Sequence, residues 1–553
     1  MIFFKTVLFI MCCAVYCMAG YSFESPIVRR MPKPDIKLTQ GDVRVLVVLV
    51  EFADVRFKSA DPVSQFTDYL NKEGYNEYHN IGSVRDYFIK NSMGKFRPIF
   101  DVYGPITLSE NKDYYNVDCA KQVIILALDS LDNRNEVDFF KYDNDGDGAV
   151  DFLITFYAGV SGHDIQMVRV LSTHAGALGT WDNLLSGKKM KDGLFVNFHA
   201  FVNEINGSVY RRDKSTATLS ELGLLIHEFS HVLGLPDLYI GQGSFSPETW
   251  SVMQGGGYNC SPEYEQGCVP PLYSAFERIS LGWLTPIEIK TSGKIQLNKL
   301  DDNIALSITN PENPNEMYLL EYRTNKGWDV GQENSGMLIW HIDYDSTLWK
   351  SFKVNQEHYM HVDIVKPHLP DDYVGIIGGG DSNPYDVFPG KGNVTEFNNF
   401  VFWNGLDMNI TLSDITESHD KEYVTFNVTM GEPFKMEIES SSSSDEIIWI
   451  VEKKSSSSKN IEISSSISSI ISSKASSQPI RIISQNGIIN ITTPLPGMKK
   501  VHMFSLNGQL LFETSMDGSE LQLQWPKRLG KQKAVLSVTQ GNANLFMDVV
   551  DGR

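Results

Sequence analysis

Residues 43–52, VRVLVVLVEF, are an almost unbroken run of β-branched and aliphatic side chains, the pattern of a strand buried on both faces. Residues 63–72, 83–92 and 121–131 read as helices. Residues 100–108 read as a strand pair punctuated by Gly104-Pro105, residues 152–157 as a buried strand, and residues 195–204 as a further strand. A strongly patterned helix follows. Leu222, Leu225, Ile226, Phe229, Val232 and Leu233 recur at the helical period, and Thr218 and Glu221 have the T-x-x-E spacing of a capping box. Gly234 is placed to end that helix in a left-handed turn, and Pro236 blocks its return. From residue 285 to about 430 the pattern switches to strands separated by Gly, Pro and Asn. Residues 440–477 are low complexity, with serine runs at 440–444, 455–458 and 464–466. Such a segment cannot bury enough apolar surface to offset chain entropy, so it reads as a flexible linker. Residues 479–553 hold seven short strand patterns with Asn507-Gly508 as a hairpin turn, which predicts a small β-sandwich.

Chemistry enters on the 222–233 helix. His227 and His231 are four apart, so both imidazoles leave one face a turn apart, which suits a tetrahedral zinc ion. Glu228 is next to the first of them and can reach a water without ligating the metal, the general-base place in a HExxH helix. The turn at Gly234 brings Asp237 back as a third ligand and leaves a fourth position for water. HExxH alone is a weak signal; Gly234 and Asp237 at fixed offsets lower its chance occurrence by about two orders of magnitude. The competing reading is a buried amphipathic helix with core histidines, and it must bury two imidazoles and a carboxylate without a purpose, which is costly. His163, His174 and His199 precede this helix and any of them can approach the site, although ordinary packing explains each. Tyr239 and Tyr258 are candidate donors to a developing oxyanion, again with packing as the plainer account.

A second motif is DNDGDGAVD at 143–151. Asp143, Asp145, Asp147 and Asp151 can surround one hard cation, the Ala149 carbonyl can add a ligand, and Gly148 permits the sharp turn. Ile154 stands where an EF-hand has its bidentate glutamate, so a structural calcium (Ca2+) loop is expected rather than a sensor. A solvated acidic turn is the alternative. Farther on, His341, Asp343, His358, His361 and Asp363 look like a metal cluster in composition, but period-two alternation explains them as strand faces and no second zinc is expected. Residues 378–381 read as a loop, because no βα unit surrounds them to make a phosphate cradle.

A formal net charge of −20 argues against nucleic-acid binding, which needs a basic footprint. It fits an extracellular protein or a calcium binder. A chain of 553 residues implies two or more domains. Residues 1–20 read as a secretory signal peptide: Lys5, then an apolar stretch at 6–15 too short for a membrane span, then a cleavage position near Ala19 or Gly20. Cys12, Cys13 and Cys17 lie within it, but a small residue directly precedes none of them, so simple cleavage is expected over a lipid anchor. Cys260 and Cys268 close a short loop and can pair in an oxidising compartment, with two unlinked thiols as the alternative; Cys119 is then unpaired and expected to be buried. Residues 21–40 read as a linker or short propeptide, too short for a folded prodomain.

These residues carry a resemblance. HEFSHVLGLPDLY at 227–239 resembles the zinc motif of the immune inhibitor A family of secreted zinc metallopeptidases, HExxHxxGxxD, with Ser230 where that family usually has Gly. WSVMQGG at 250–256 is similar to the family's Met-turn, whose methionine, here Met253, floors the zinc site without ligating it. SVRDYF at 83–88, running on to Ser92-Met93-Gly94, resembles the stretch before the family's second strand. PLYSAFERISLGW at 271–283 resembles the helix that closes its catalytic domain. MYLLEYR at 317–323 and GMLIWHID at 336–343 resemble the β-rich module that follows, and acidic loops like 143–151 occur at this place in the family. VHMFSLNGQLLF at 501–512 is similar to C-terminal sorting domains of the type IX secretion route, with a carbohydrate-binding or adhesion module as the competing reading.

The resemblance implies an α+β metzincin-like zinc peptidase domain over 41–285, a β-rich domain over 286–432, a Ser-rich linker over 433–478 and a C-terminal β-sandwich over 479–553. It implies a secreted zinc (Zn2+) endopeptidase, extracellular or at the cell surface, with His227, His231 and Asp237 on the metal and Glu228 as base. Its partners are protein or peptide substrates, with no nucleic acid, and secretion machinery or a glycan at the C-terminal module. By its order in metzincin-like folds, residues 195–204 are the candidate for the edge strand that pairs with extended substrate. The rival from another class is a surface adhesion or glycan-binding protein carrying an inert peptidase fold. A third reading is a protease aimed at glycosylated substrates such as mucins.

Overall fold

The computed structural model describes residues 38–435, apart from 116–118, 162–170, 181–182, 207–218, 240–247, 261–266, 352, 356–359 and 368–384, together with seven strands between 481 and 551. The expected signal peptide, most of the 21–40 segment, the 378–381 loop, the Asn507-Gly508 turn and the Ser-rich segment lie outside the described residues, as do His163, Thr218 and His358.

The aliphatic run forms β1 (Gly41–Glu51), the middle of a mixed sheet. It pairs in parallel with β2 (Phe96–Thr107) on one side and β3 (Leu153–Val160) on the other. Beyond β3 come β5 (Phe198–Ile205), parallel to it, and then β4 (His174–Ala177), antiparallel at the sheet's edge. Alternate side chains of β1 enter different cores, which explains the missing polar alternation. Val43, Val45, Val47 and Leu49 face a core shared with α1 (Pro62–Asn71), α2 (Val84–Asn91), α4 (Leu222–Leu233) and α5 (Ala275–Ser280). Leu46, Val48 and Val50 face a second core with α3 (Ala120–Arg134). The result is a mixed α/β region.

Three expectations need correction here. Residues 100–107 belong to one strand, not a pair: β2 continues through Gly104-Pro105 because its pairing with β1 shifts register between Val48 and Val50. Pro105 has no N–H to give to a ladder, and the irregularity absorbs it. The glycine before it has φ 110°, and a Cβ there would lie 2.6 Å from the Leu49 carbonyl. Residues 195–204 are split: Phe195–Val196 pairs with Ala149–Val150 in a small separate sheet, and only β5 joins the main one. Finally, α4 starts at Leu222 with Glu221 as its N-cap and no side-chain cap bond, so the expected capping box with Thr218 is not what begins this helix. Glu221 sits at the cap itself, one turn too early to be the reaching partner. By contrast α2 and α5 open on complete boxes, Ser83 with Asp86 and Ser274 with Glu277.

From residue 287 the strands are antiparallel apart from one edge pairing. A three-stranded sheet holds β6 (Gly293–Asn298), β11 (Ile410–Glu417) and β12 (Tyr423–Met430). A five-stranded one holds β7 (Leu306–Asn310), β8 (Asn313–Arg323), β9 (Gly336–Asp343) and β10 (Val362–Ile364), with Ile287–Glu288 at the edge. The two faces of β8 divide: Tyr318, Leu320 and Tyr322 join the core of the β-rich region, whereas Met317 and Leu319 join the core around α4. The seven expected C-terminal patterns are all strands. Arg481–Gln485, Ile488–Thr492 and Glu520–Gln524 form one sheet, and Met498–Ser505, Leu510–Asp517, Lys533–Gln540 and Ala543–Asp551 another. Cys260 and Cys268 form a disulfide, and Cys119 is free but half-buried rather than buried. Among the described residues no helix is long and apolar enough to cross a membrane.

Candidate metal centre

Helix α4 packs its apolar stripe against the first core and turns His227 and His231 to the opposite side, their ring centroids 4.8 Å apart. Its end is set by Gly234, whose φ of 104° only glycine adopts cheaply. The Gly234 and Leu235 N–H groups return to the His231 and Ser230 carbonyls and close the turn. That turn delivers Asp237. Its Oδ1 lies 3.3 Å from His227 Nε2 and 3.2 Å from His231 Nε2.

Each imidazole has its other nitrogen already engaged. His227 Nδ1 donates to the Val252 carbonyl at 2.8 Å, in the Met-turn-like segment, and His231 Nδ1 donates to the Leu235 carbonyl at 2.8 Å. Carbonyls only accept, so both Nε2 atoms carry lone pairs toward Asp237 when the rings are neutral. Asp237 Oδ1 is correspondingly buried without a hydrogen bond, despite two nitrogens within 3.3 Å. With both rings neutral, three lone-pair donors face one another, the arrangement a cation would satisfy. A carboxylate oxygen of Glu228 falls in the same group, within 4.8 Å of the two imidazole donors.

Titration reflects that field. Burial lowers the His227 pKa, but the Asp237 and Glu228 carboxylates overcome it and lift it to about 9. Burial raises the Asp237 pKa, yet the two imidazoles hold it well below the usual carboxylate range. Tyr239 lines the same cleft; burial and then Asp237 push its phenol up, so it stays protonated as a donor. Tyr258 is exposed and does not line the cleft. Met253 is buried and donates to Ser251 Oγ at 3.0 Å from its backbone, while its carbonyl accepts the Leu238 N–H at 3.0 Å.

Thr173 and, at the start of β4, His174 and Ala175 also line the cleft. Of the three histidines that can approach the site from before the helix, His174 lines the cleft. Only its histidine character hinted at this, because the pairing of β4 onto β5 is long-range. His199 is fully buried behind it, with ring centroids 5.7 Å apart. The expected substrate strand at 195–204 is ruled out by topology: β5 has β3 on one side and β4 on the other, so its edges are taken.

The acidic loop brings Asp143, Asp145 and Asp151 within 4.8 Å of one another, and Asp147 is outside that group. Asp143 Oδ1 and Oδ2 accept the Asp147 and Gly148 N–H groups at 3.0 and 3.1 Å, which curls the loop. Asn144 ties it to β1 through both backbone groups of Arg44, at 2.8 and 3.1 Å. These two clusters are the metal-type groups among the described residues. His341 is accounted for otherwise: Nε2 meets Glu316 Oε1 at 2.9 Å and the ring stacks on Tyr318 and Trp403. His361 Nδ1 donates to the Asp343 carbonyl at 2.8 Å.

Part of this chain is similar to known proteins. Residues 36–284 match the family model for the immune inhibitor A peptidase M6 catalytic domain. Immune inhibitor A of Bacillus thuringiensis subsp. alesti is 27% identical over 271 residues, 40% of this chain and 37% of that protein. The pre-pro-metalloprotease PrtV of Vibrio cholerae serotype O1 is 25% identical over 263 residues, 39% of this chain and 27% of that protein. This chain therefore spans well under half the length of either relative. A solved immunoglobulin-like β-sandwich protein of Bacteroides vulgatus aligns with 13% of this chain and 83% of its own at 10% identity and TM-score 0.11, and carries no argument. The matched segment contains the whole His227–Asp237 turn, so over residues 36–284 this chain is similar to the immune inhibitor A peptidase M6 catalytic domain.

Proposed function

We propose that the chain is a secreted zinc endopeptidase with a metzincin-like catalytic domain. The observation that carries this reading is the convergence of His227 Nε2, His231 Nε2 and Asp237 Oδ1, with both Nδ1 atoms already committed to carbonyls. When bound there, zinc supplies Lewis acidity toward the scissile carbonyl and makes water a better nucleophile near neutral pH. Glu228 accepts the proton of the attacking water and passes it to the leaving amine. Tyr239, kept protonated, is placed to donate to the oxygen that gains charge. The free edge of β4 offers backbone groups to an extended peptide along the cleft that Glu228 also lines. Asp143, Asp145 and Asp151 would hold a structural calcium ion.

Hydrolysis of an unstructured protein such as casein, measured before and after treatment with a zinc chelator and again after zinc is restored, tests the reading. Loss on chelation and recovery with zinc are expected. No hydrolysis, or hydrolysis indifferent to the chelator, overturns it in favour of the inert, adhesive alternative.

A further inference from the structure

The turn that carries Asp237 is held from outside the family-matched segment. Trp349, in the short helix α6 (Ser346–Lys350), donates from Nε1 to the Gly234 carbonyl at 3.3 Å. Asn355 donates from Nδ2 to the Leu238 carbonyl at 2.8 Å. Both side chains are almost wholly buried, at 1% exposure each. Asn355 is itself locked to β10: it donates to the Val362 carbonyl at 2.9 Å and accepts the His361 and Val362 N–H groups at 2.9 and 3.0 Å. The Trp349 ring is wedged between Phe276 of α5 and Tyr344, each with centroids 5.3 Å away.

These anchors grip the two ends of the turn. Between them lie Leu235, whose carbonyl fixes His231 Nδ1, and Asp237. Leu238 is held on both sides, its N–H by the Met253 carbonyl and its carbonyl by Asn355. Pro236 has no N–H, so it adds no backbone donor to hold the turn. Outer groups that orient metal ligands typically change metal affinity 10–100-fold when removed.

We propose that Asn355 and Trp349 are positioning residues for the metal centre, clamping residues 234–238 so that Asp237 meets the two imidazoles. The β-rich region is on this account a working part of the site. The proposal rests on the zinc reading above and extends it to residues beyond 284.

The test uses full-chain protein. Zinc affinity is measured by competition with a chromophoric chelator, and ligand geometry by the visible absorption of the Co2+-loaded protein. Asn355→Ala and Trp349→Phe are each expected to weaken zinc binding by about tenfold or more and to alter the cobalt spectrum. Trp349→Phe removes the donor and part of the indole while leaving an aromatic ring between Phe276 and Tyr344, so it carries the test if Asn355→Ala fails to fold. Tyr322→Phe is the control: it removes a 2.7 Å bond to Glu417 in the same region but touches no part of the turn, and zinc affinity is expected to stay at the wild-type value. Wild-type affinity in Trp349→Phe and in any folded Asn355→Ala, or equal weakening in Tyr322→Phe, overturns the clamp while leaving the zinc reading intact. Failure of the wild-type chain itself to bind zinc overturns both.

Discussion

At the scale of single residues, His227 and His231 each give one nitrogen to a backbone carbonyl and keep the other for the site. Glu228 sits within the same radius without competing for either of those bonds. Glu228→Ala should therefore keep zinc and fold while lowering kcat/KM by about 10²–10⁴-fold, the usual worth of a positioned general base; metal content and peptide hydrolysis on the same preparation check this. His199 makes a different prediction. Burial and then the nearby His174 pull its pKa from an ordinary 6.5 to about 3. The folded state thus keeps this ring neutral while the unfolded chain protonates it, so its contribution is present above pH 6.5 and is lost as pH falls toward 3. The loss is on the order of a few kcal/mol. Thermal midpoints of metal-free wild type and His199→Gln should differ more at pH 7 than at pH 4; a constant difference contradicts the assignment. The convergence of His227, His231 and Asp237 was legible because a four-residue repeat and a glycine turn are local. His174 and Asn355 were not, because nothing near them in sequence states which strand or turn they will meet.

At the scale of elements, α4 is placed by close backbone approach as much as by its apolar stripe. A Cβ on Gly223 would lie 2.1 Å from the Gly257 carbonyl, in the segment just after Met253. Gly223→Ala must push helix and segment apart and should lower stability by about 1–3 kcal/mol, read from the unfolding midpoint, with weaker zinc binding because Val252 holds His227. The acidic loop predicts a separate effect. On the proposed calcium reading, chelation would leave three carboxylates to repel one another beside β3, so the thermal midpoint should fall while zinc content is unchanged; an identical midpoint with and without calcium counts against that site. Helix and strand patterns were readable wherever burial was one-sided or complete. They failed at Pro105, where an irregular pairing lets a strand run on, and at 195–204, where neighbouring residues serve two sheets.

At the scale of the whole molecule, the boundary near residue 285 that the strand pattern suggests is crossed by the core. Leu319, Leu338 and Trp340 belong to the same core as α4, and Arg323 is buried between Glu321 and Asp329 at 3.0 and 2.5 Å. Its guanidinium also donates to the carbonyls of Trp250 and Leu272, so one charged group ties β8 to the segments flanking the site. Arg323→Met leaves two buried carboxylates uncompensated and should cost about 3–5 kcal/mol, visible as a large drop in the unfolding midpoint. A pattern reading separates these regions because composition changes there; the contacts joining them are between residues tens of positions apart and leave no periodic trace.

The measurement that bears most directly on the account is zinc content of purified wild type, His231→Ala and Glu228→Ala, paired with peptide hydrolysis by each. Stoichiometric zinc in wild type and Glu228→Ala, little in His231→Ala, and hydrolysis by wild type alone are the predicted results. A wild-type chain without zinc, or full hydrolysis by Glu228→Ala, contradicts the account at its centre.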